Sequence, residues 1–136
     1  MTLQDIITFL DENAPNTLLA TLGTCGNPRL RPVHSPLLYK GNLYFCTSVE
    51  KNLYKHIQSH SGVELCSLAK DGTFLRIRGK ATPSDDLEAK KAMFDKFEIV
   101  KEIYKEPSNP KFAILVLSEL SARKQNLQGE FETYKA

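Results

Sequence analysis

Apolar residues recur at helical spacing at the start of the chain. Leu3, Ile6, Ile7 and Leu10 fall on one stripe, Thr2 is placed to cap it, and Pro15 stops it. Asp5 lies in the first turn, where the helix dipole favours an acid. From Thr17 the period changes. Thr17 to Leu22 is rich in β-formers, and Gly26, Asn27 and Pro28 break the chain after it. Arg29 to Tyr39 alternates only in part, and its prolines Pro32 and Pro36 predict an edge strand or a bulge. The turn Lys40-Gly41-Asn42 leads into a short apolar strand, Leu43 to Thr47.

Ser48 is a predicted cap for a helix running from about Glu50 to His60. Leu53 and Ile57 form its inner face, and Lys51 and Lys55 stand one turn apart on another. Val63 to Leu68 and Thr73 to Thr82 alternate on either side of the hairpin turn Lys70-Asp71-Gly72. Ser84 is placed to cap a helix carrying Leu87, Met93, Phe94 and Phe97, with a second helical piece over Ile99 to Tyr104. Lys111 to Leu117 reads as a buried strand, and the tail from Ser121 adds one more. The pattern predicts a mainly β fold with flanking helices, about six antiparallel strands closing into a small barrel. One domain spans residues 1–136, and its length can bury roughly two thirds of the unfolded surface without a disulfide or metal staple.

Overall charge is close to balanced at +2, which hides an asymmetry. Between Arg29 and Lys80 there are nine Lys/Arg and three Asp/Glu, so an anionic ligand is sought there. The widely spaced Cys25, Cys46 and Cys66 form no CxxC pair and fit free thiols in a reducing cytoplasm. The N-terminus lacks the basic start and long apolar run of a signal peptide, and no stretch approaches the roughly 20 apolar residues of a membrane span.

Three constellations are candidates for chemistry. Thr47 and Ser48 precede a helix start followed by Lys51 and Lys55, and a helix N-terminus offers free N–H groups and a positive dipole end to a phosphate that Lys51, on the first turn, can also reach. Arg31-Pro32-Val33-His34 places an arginine beside a backbone that cannot complete a sheet ladder and so is free to face a ligand. Arg76, Arg78 and Lys80 alternate with Leu75 and Ile77 and share one strand face. Each also has a structural reading: a helix cap, an edge-strand arginine and a solvated outer face. Tyr44, Phe45 and Phe74 are either core or stacking platforms. His56 and His60 form an i, i+4 pair without an acidic third ligand, so no metal is expected. Neither G-x-S-x-G, a Walker loop nor G-x-G-x-x-G occurs.

The ordered series PRLRPVHSPLLYKGNLYFCT, SVEKNLYKHI, VELCSL and FLRIRGKA resembles the pyridoxamine 5′-phosphate oxidase-like family. The resemblance implies a six-stranded antiparallel split barrel that forms a homodimer with FMN between subunits. It implies that Arg31 begins the flavin-contacting strand and that the backbone of Pro32, Val33 and the residues to Pro36 runs along the ring. Thr47 and Ser48 then lie beside the ribityl phosphate, with Lys51 and Asn52 in the phosphate cluster. Lys51-Asn52-Leu53 stands where true pyridoxamine phosphate oxidases carry Ser-Arg-Lys, Phe74 replaces their glutamine, and the chain has no Trp. These departures argue against pyridoxamine phosphate oxidation. The expected function is an FMN-dependent oxidoreductase, flavin reductase-like or nitroreductase-like, acting on a small molecule with a nicotinamide cofactor as candidate donor. The alternatives are a flavin carrier or sensor without turnover and a small basic barrel binding single-stranded nucleic acid. The flavin reading predicts no appreciable nucleic-acid binding and assigns no catalytic side chain.

Overall fold

A computed structural model describes residues 1–136. Helix α1 (Leu3–Glu12) begins at Thr2 with a reciprocal cap. The Thr2 hydroxyl accepts from the Asp5 N–H at 3.1 Å, and the Asp5 carboxylate accepts from the Thr2 N–H at 2.8 Å. A single 3₁₀ turn, Ala14–Asn16, carries the chain into the sheet. The strands are β1 (Thr17–Leu22), β2 (Pro28–Pro32), β3 (Leu37–Tyr39), β4 (Asn42–Ser48), β5 (Gly62–Leu68), β6 (Phe74–Ser84), β7 (Phe112–Gln125) and β8 (Phe131–Lys135). Helix α2 (Asn52–Ser59) lies between β4 and β5, and α3 (Leu87–Lys96) and α4 (Glu98–Tyr104) lie between β6 and β7.

All neighbouring strands are antiparallel, in the order β2-β1-β5-β6-β7-β4-β3, with β8 added to β7. There are eight strands, where about six were expected. One reason is proline. Arg29 to Tyr39 is not one strand but two, because Pro32 has no N–H to continue the ladder and Pro36 has none to restart it. The consequence is large. β2 and β3 are consecutive in sequence yet sit at opposite ends of the sheet path. Residues 33–36 therefore cross the gap between the two ends, and the barrel is split there. The crossing is pinned on both sides: the Val33 N–H donates to the Thr17 carbonyl at 3.1 Å, and the Ser35 hydroxyl accepts from the Cys46 N–H at 3.0 Å. Lys96 Nζ adds a third tie, donating to the Pro36 carbonyl at 2.7 Å and to Asp11 at 2.8 Å.

The other departure from the predicted pattern is β7. The expected strand at Lys111 to Leu117 and the start of the tail form one strand of 14 residues, interrupted by a bulge rather than a turn. Arg78 faces Ser121 while Lys80 faces Ser118, so β7 carries one extra residue where Glu119 takes a positive φ of 50°. The bulge moves the inward positions from Leu115 and Leu117 to Leu120 and Ala122, all buried in the barrel. Gly79 lies opposite it, where a Cβ would meet the Ser118 carbonyl at 2.9 Å. The barrel interior packs Leu19, Phe45, Leu65, Leu75, Ile77 and Leu115 against Ile6, Ile7 and Leu10 of α1 and Leu53 and Ile57 of α2. A second cluster outside the barrel joins Tyr44, Phe112 and Ile114 to Met93 and Phe94 of α3 and Val100 and Tyr104 of α4. Tyr44 and Phe45 are thus core, on opposite faces of β4, and neither is a stacking platform. Capping differs in detail. Asp86 rather than Ser84 caps α3, accepting from Glu88 and Ala89 N–H groups. No helix is long and apolar enough to cross a membrane.

Candidate functional site

A cleft of about 690 Å³ opens at the split in the barrel. Its walls come from β2, the 33–36 crossing, the end of β4, the start of α2, and α4. Such a volume lies in the range that encloses a cofactor-sized ligand. Of the sequence-predicted residues, Arg31, Pro32, Val33, Thr47, Lys51 and Asn52 line it together. Ser48 does not. Its hydroxyl accepts from the Glu50 N–H at 3.2 Å and shapes the turn before α2, while Lys51 and not Ser48 occupies the N-cap position. The Lys51 N–H donates to the Ser48 carbonyl at 3.1 Å, and no side chain caps α2. The Tyr54 N–H is taken by the Lys51 carbonyl at 3.1 Å, so the Asn52 and Leu53 amides keep their donors for another partner, at the positive end of the helix. Lys55 faces an adjoining pocket of about 170 Å³ with Arg29 and Cys25, so Lys51 and Lys55 do not converge on one point.

Arg31 is more than an edge-strand cation. It lies opposite Leu19 in the β1–β2 register, on the inward side of the sheet. Its Nη1 donates to Thr21 Oγ1 at 2.7 Å and to the Leu19 carbonyl at 3.4 Å. Its Nη2 lies 3.2 Å from Nδ1 of His56, which is also 3.0 Å from Thr21 Oγ1. Arginine can only donate, so Nδ1 is an acceptor, the ring is neutral and its proton is on Nε2. Burial, then the Arg31 and Arg29 charges, push the His56 pKa below its ordinary value. Burial and the Arg29 charge also lower that of Arg31. His56 is thus a partner of Arg31 and Thr21, not half of a metal pair with His60.

His56, weighed in the sequence only as a metal pair with His60, was not expected in the cleft, nor were Thr21 beside it and the α4 wall of Phe97, Ile99, Val100, Ile103 and Tyr104. Signals existed. Thr21 is a polar residue at an inward position of β1, whose burial alternates from Thr17. Ile99 and Ile103 are one turn apart and stay 60% and 61% exposed, too apolar for a helix face turned only to water. The cleft is divided in character: Arg29, Arg31 and Lys51 make it cationic, α4 and Leu30 make it apolar, and no Asp or Glu lines it.

A sequence model of the pyridoxamine 5′-phosphate oxidase family matches residues 6–125. The chain belongs to the pyridoxamine 5′-phosphate oxidase family. Within solved structures, a NimC/NimA family protein from Clostridium acetobutylicum is 25% identical, with a TM-score of 0.89 over 98% of this chain and 91% of that one. A pyridoxamine 5′-phosphate oxidase-related, FMN-binding protein from Nostoc punctiforme shares the fold at 17% identity and a TM-score of 0.67, over 98% and 95%. A haem-binding protein from Mycobacterium smegmatis does so at 21% identity and 0.70, over 93% of this chain and 55% of that one. Comparison with functionally curated proteins gives no match. The fold is the split barrel of the pyridoxamine 5′-phosphate oxidase family, and its split is where the cleft lies.

Proposed function

We propose that the cleft binds FMN and that the protein is an FMN-dependent oxidoreductase acting on a small molecule. The observation that carries this reading is the division of one acid-free cleft into a cationic end at the uncapped start of α2 and an apolar wall on α4. FMN has the matching division, a phosphate at one end and a flat ring at the other. Lys51, the Asn52 amide and the Thr47 hydroxyl are the residues to hold the phosphate. Pro32, Val33 and the α4 side chains are those to enclose the ring. Bound FMN supplies hydride acceptance and donation. Arg31, fixed by Thr21 and the Leu19 carbonyl, keeps a permanent positive charge in the cleft and favours the more anionic, reduced form of whatever it faces. Neutral His56 adds no second charge there and orients the guanidinium instead.

The family resemblance and one surface support a homodimer. The outer face of β2, β1 and β5 is covered by no helix, and Leu18, Leu22, Leu30 and Leu68 stand exposed on it. A patch of this kind on a small protein marks an interface, and a second copy is its proposed occupant.

Anaerobic addition of a reduced nicotinamide cofactor to the yellow protein tests turnover. Bleaching, followed by recovery of colour with a nitroaromatic or quinone acceptor, supports an oxidoreductase. Bound flavin that neither bleaches nor recovers would instead make the protein a carrier or sensor.

A further inference from the structure

A second concentration of positive charge lies on the outer face of β6, β7 and β8. It lines a depression of about 440 Å³ that shares no residue with the cleft. Strand register builds it. Arg76 is directly opposite Arg123, which is opposite Thr133; Arg78 is directly opposite Ser121, which is opposite Lys135. Directly opposed residues share a sheet face with Cβ atoms roughly 4.5–5.5 Å apart. Four cations and two hydroxyls therefore stand in two rows over one patch.

Little within the chain offsets them. Glu64 is the one acid lining the depression; it stands directly opposite Arg78 in the β5–β6 register, its carboxylate lies 3.9 Å from Arg76, and one carboxylate leaves the four cations a net excess of three. Arg78, Arg123 and Lys135 form no ion pair. Lys80, which the sequence places in the same row, is withdrawn by Glu119 at 2.8 Å. Arg123 lies 3.9 Å from the centroid of Phe131, whose ring supports the guanidinium without neutralising it. Like charges directly opposite on paired strands destabilise a sheet. The Arg76–Arg123 pair is thus a local cost that a bound anion removes.

We propose that this array is a binding site for a small molecule bearing two or more phosphate groups, a di- or triphosphate. The three guanidiniums supply forked donors, Lys135 a point charge, and Ser121 and Thr133 neutral donors. The size of the array selects a small ligand over a nucleic acid. Two residues along a strand span roughly 7 Å and three strands roughly 10 Å. Beyond that footprint the same sheet face turns apolar at Leu18 and Leu30, leaving no track for a longer polyanion.

The test is calorimetric titration of inorganic triphosphate into the full chain, with and without excess FMN. The expected result is one triphosphate per chain with an affinity that FMN leaves unchanged. With FMN bound, affinity should fall by at least about tenfold in Arg76→Ala/Arg123→Ala. Without ligand the double variant should melt no lower than the parent, since it loses a repulsion. Triphosphate should raise the melting temperature of the parent alone. Absence of binding, displacement by FMN, or undiminished binding in the double variant overturns the proposal. So does an oligonucleotide that binds more tightly than triphosphate, with a steep salt dependence lost in the same variant.

Discussion

Lys51→Ala isolates the phosphate contact on which the FMN reading turns. Lys51 is exposed at the N-cap of α2, makes no ion pair, and contributes no side-chain cap. Its N–H donates to the Ser48 carbonyl and its carbonyl accepts from the Tyr54 N–H; both are backbone bonds that survive in alanine. Stability should therefore change by no more than about 0.5 kcal/mol. A charge-assisted hydrogen bond to phosphate is worth about 1.5–3 kcal/mol, which converts to a roughly 10- to 150-fold loss of FMN affinity. The contact is at the mouth of an open cleft, so the low end of that range applies at physiological salt. Titration followed by flavin fluorescence measures it, with riboflavin as the control ligand. Riboflavin lacks the phosphate and should bind the parent and Lys51→Ala equally, more weakly than FMN binds the parent. Lys51→Arg should retain most of the FMN affinity. Equal weakening of both flavins, or no change in FMN binding, refutes the placement of the phosphate at the start of α2.

Leu30→Asp places a charge on the uncovered face of β2 and should yield a monomer by light scattering; an intact dimer would move the interface elsewhere. His56 is held neutral by burial and by the Arg31 charge, with its pKa below the ordinary 6.5. Below about pH 6.5 the unfolded chain takes up a proton that the folded chain resists, so folding stability is full above that pH and lost as pH falls through it. Urea midpoints should drop between about pH 7.5 and 5.5 in the parent and less so in His56→Gln, and equal slopes would show that another group titrates. Leu115→Ala removes a fully buried side chain from the barrel interior and should cost about 2–5 kcal/mol in denaturant unfolding; a loss below about 1 kcal/mol would contradict its place in the core.

Much of this fold was legible because local chemistry and tertiary position agree. Thr2, Asp5 and the Ile6–Ile7–Leu10 stripe predict α1 and are observed as its cap and buried face. The Asp71-Gly72 turn predicts the β5–β6 hairpin, and β5 pairs with β6 as expected. Where the reading failed, the deciding information was non-local. Pro32 and Pro36 announce irregular backbone, but that they mark the crossing between the two ends of the sheet depends on the partners of β2 and β3. The bulge at Glu119 changes the inward phase of β7 through its register with β6, which no periodicity in β7 alone reveals. In the site, Lys51 and Arg31 carry their charges openly in the sequence. Thr21 and His56 become relevant only once the β1–β2 register and the packing of α2 bring them to Arg31. The basic row was legible along β6, but its neighbours Arg123 and Lys135 come from strands 40 or more positions later.

Release and identification of the bound cofactor decides whether this cleft holds FMN. The protein is purified without added flavin, denatured, and the supernatant analysed by absorbance and mass spectrometry, with apoprotein reconstitution as a second arm. FMN is expected, close to one per chain, with reconstitution by FMN in preference to riboflavin. A haem spectrum, or apoprotein that binds neither flavin or binds both equally, would contradict it.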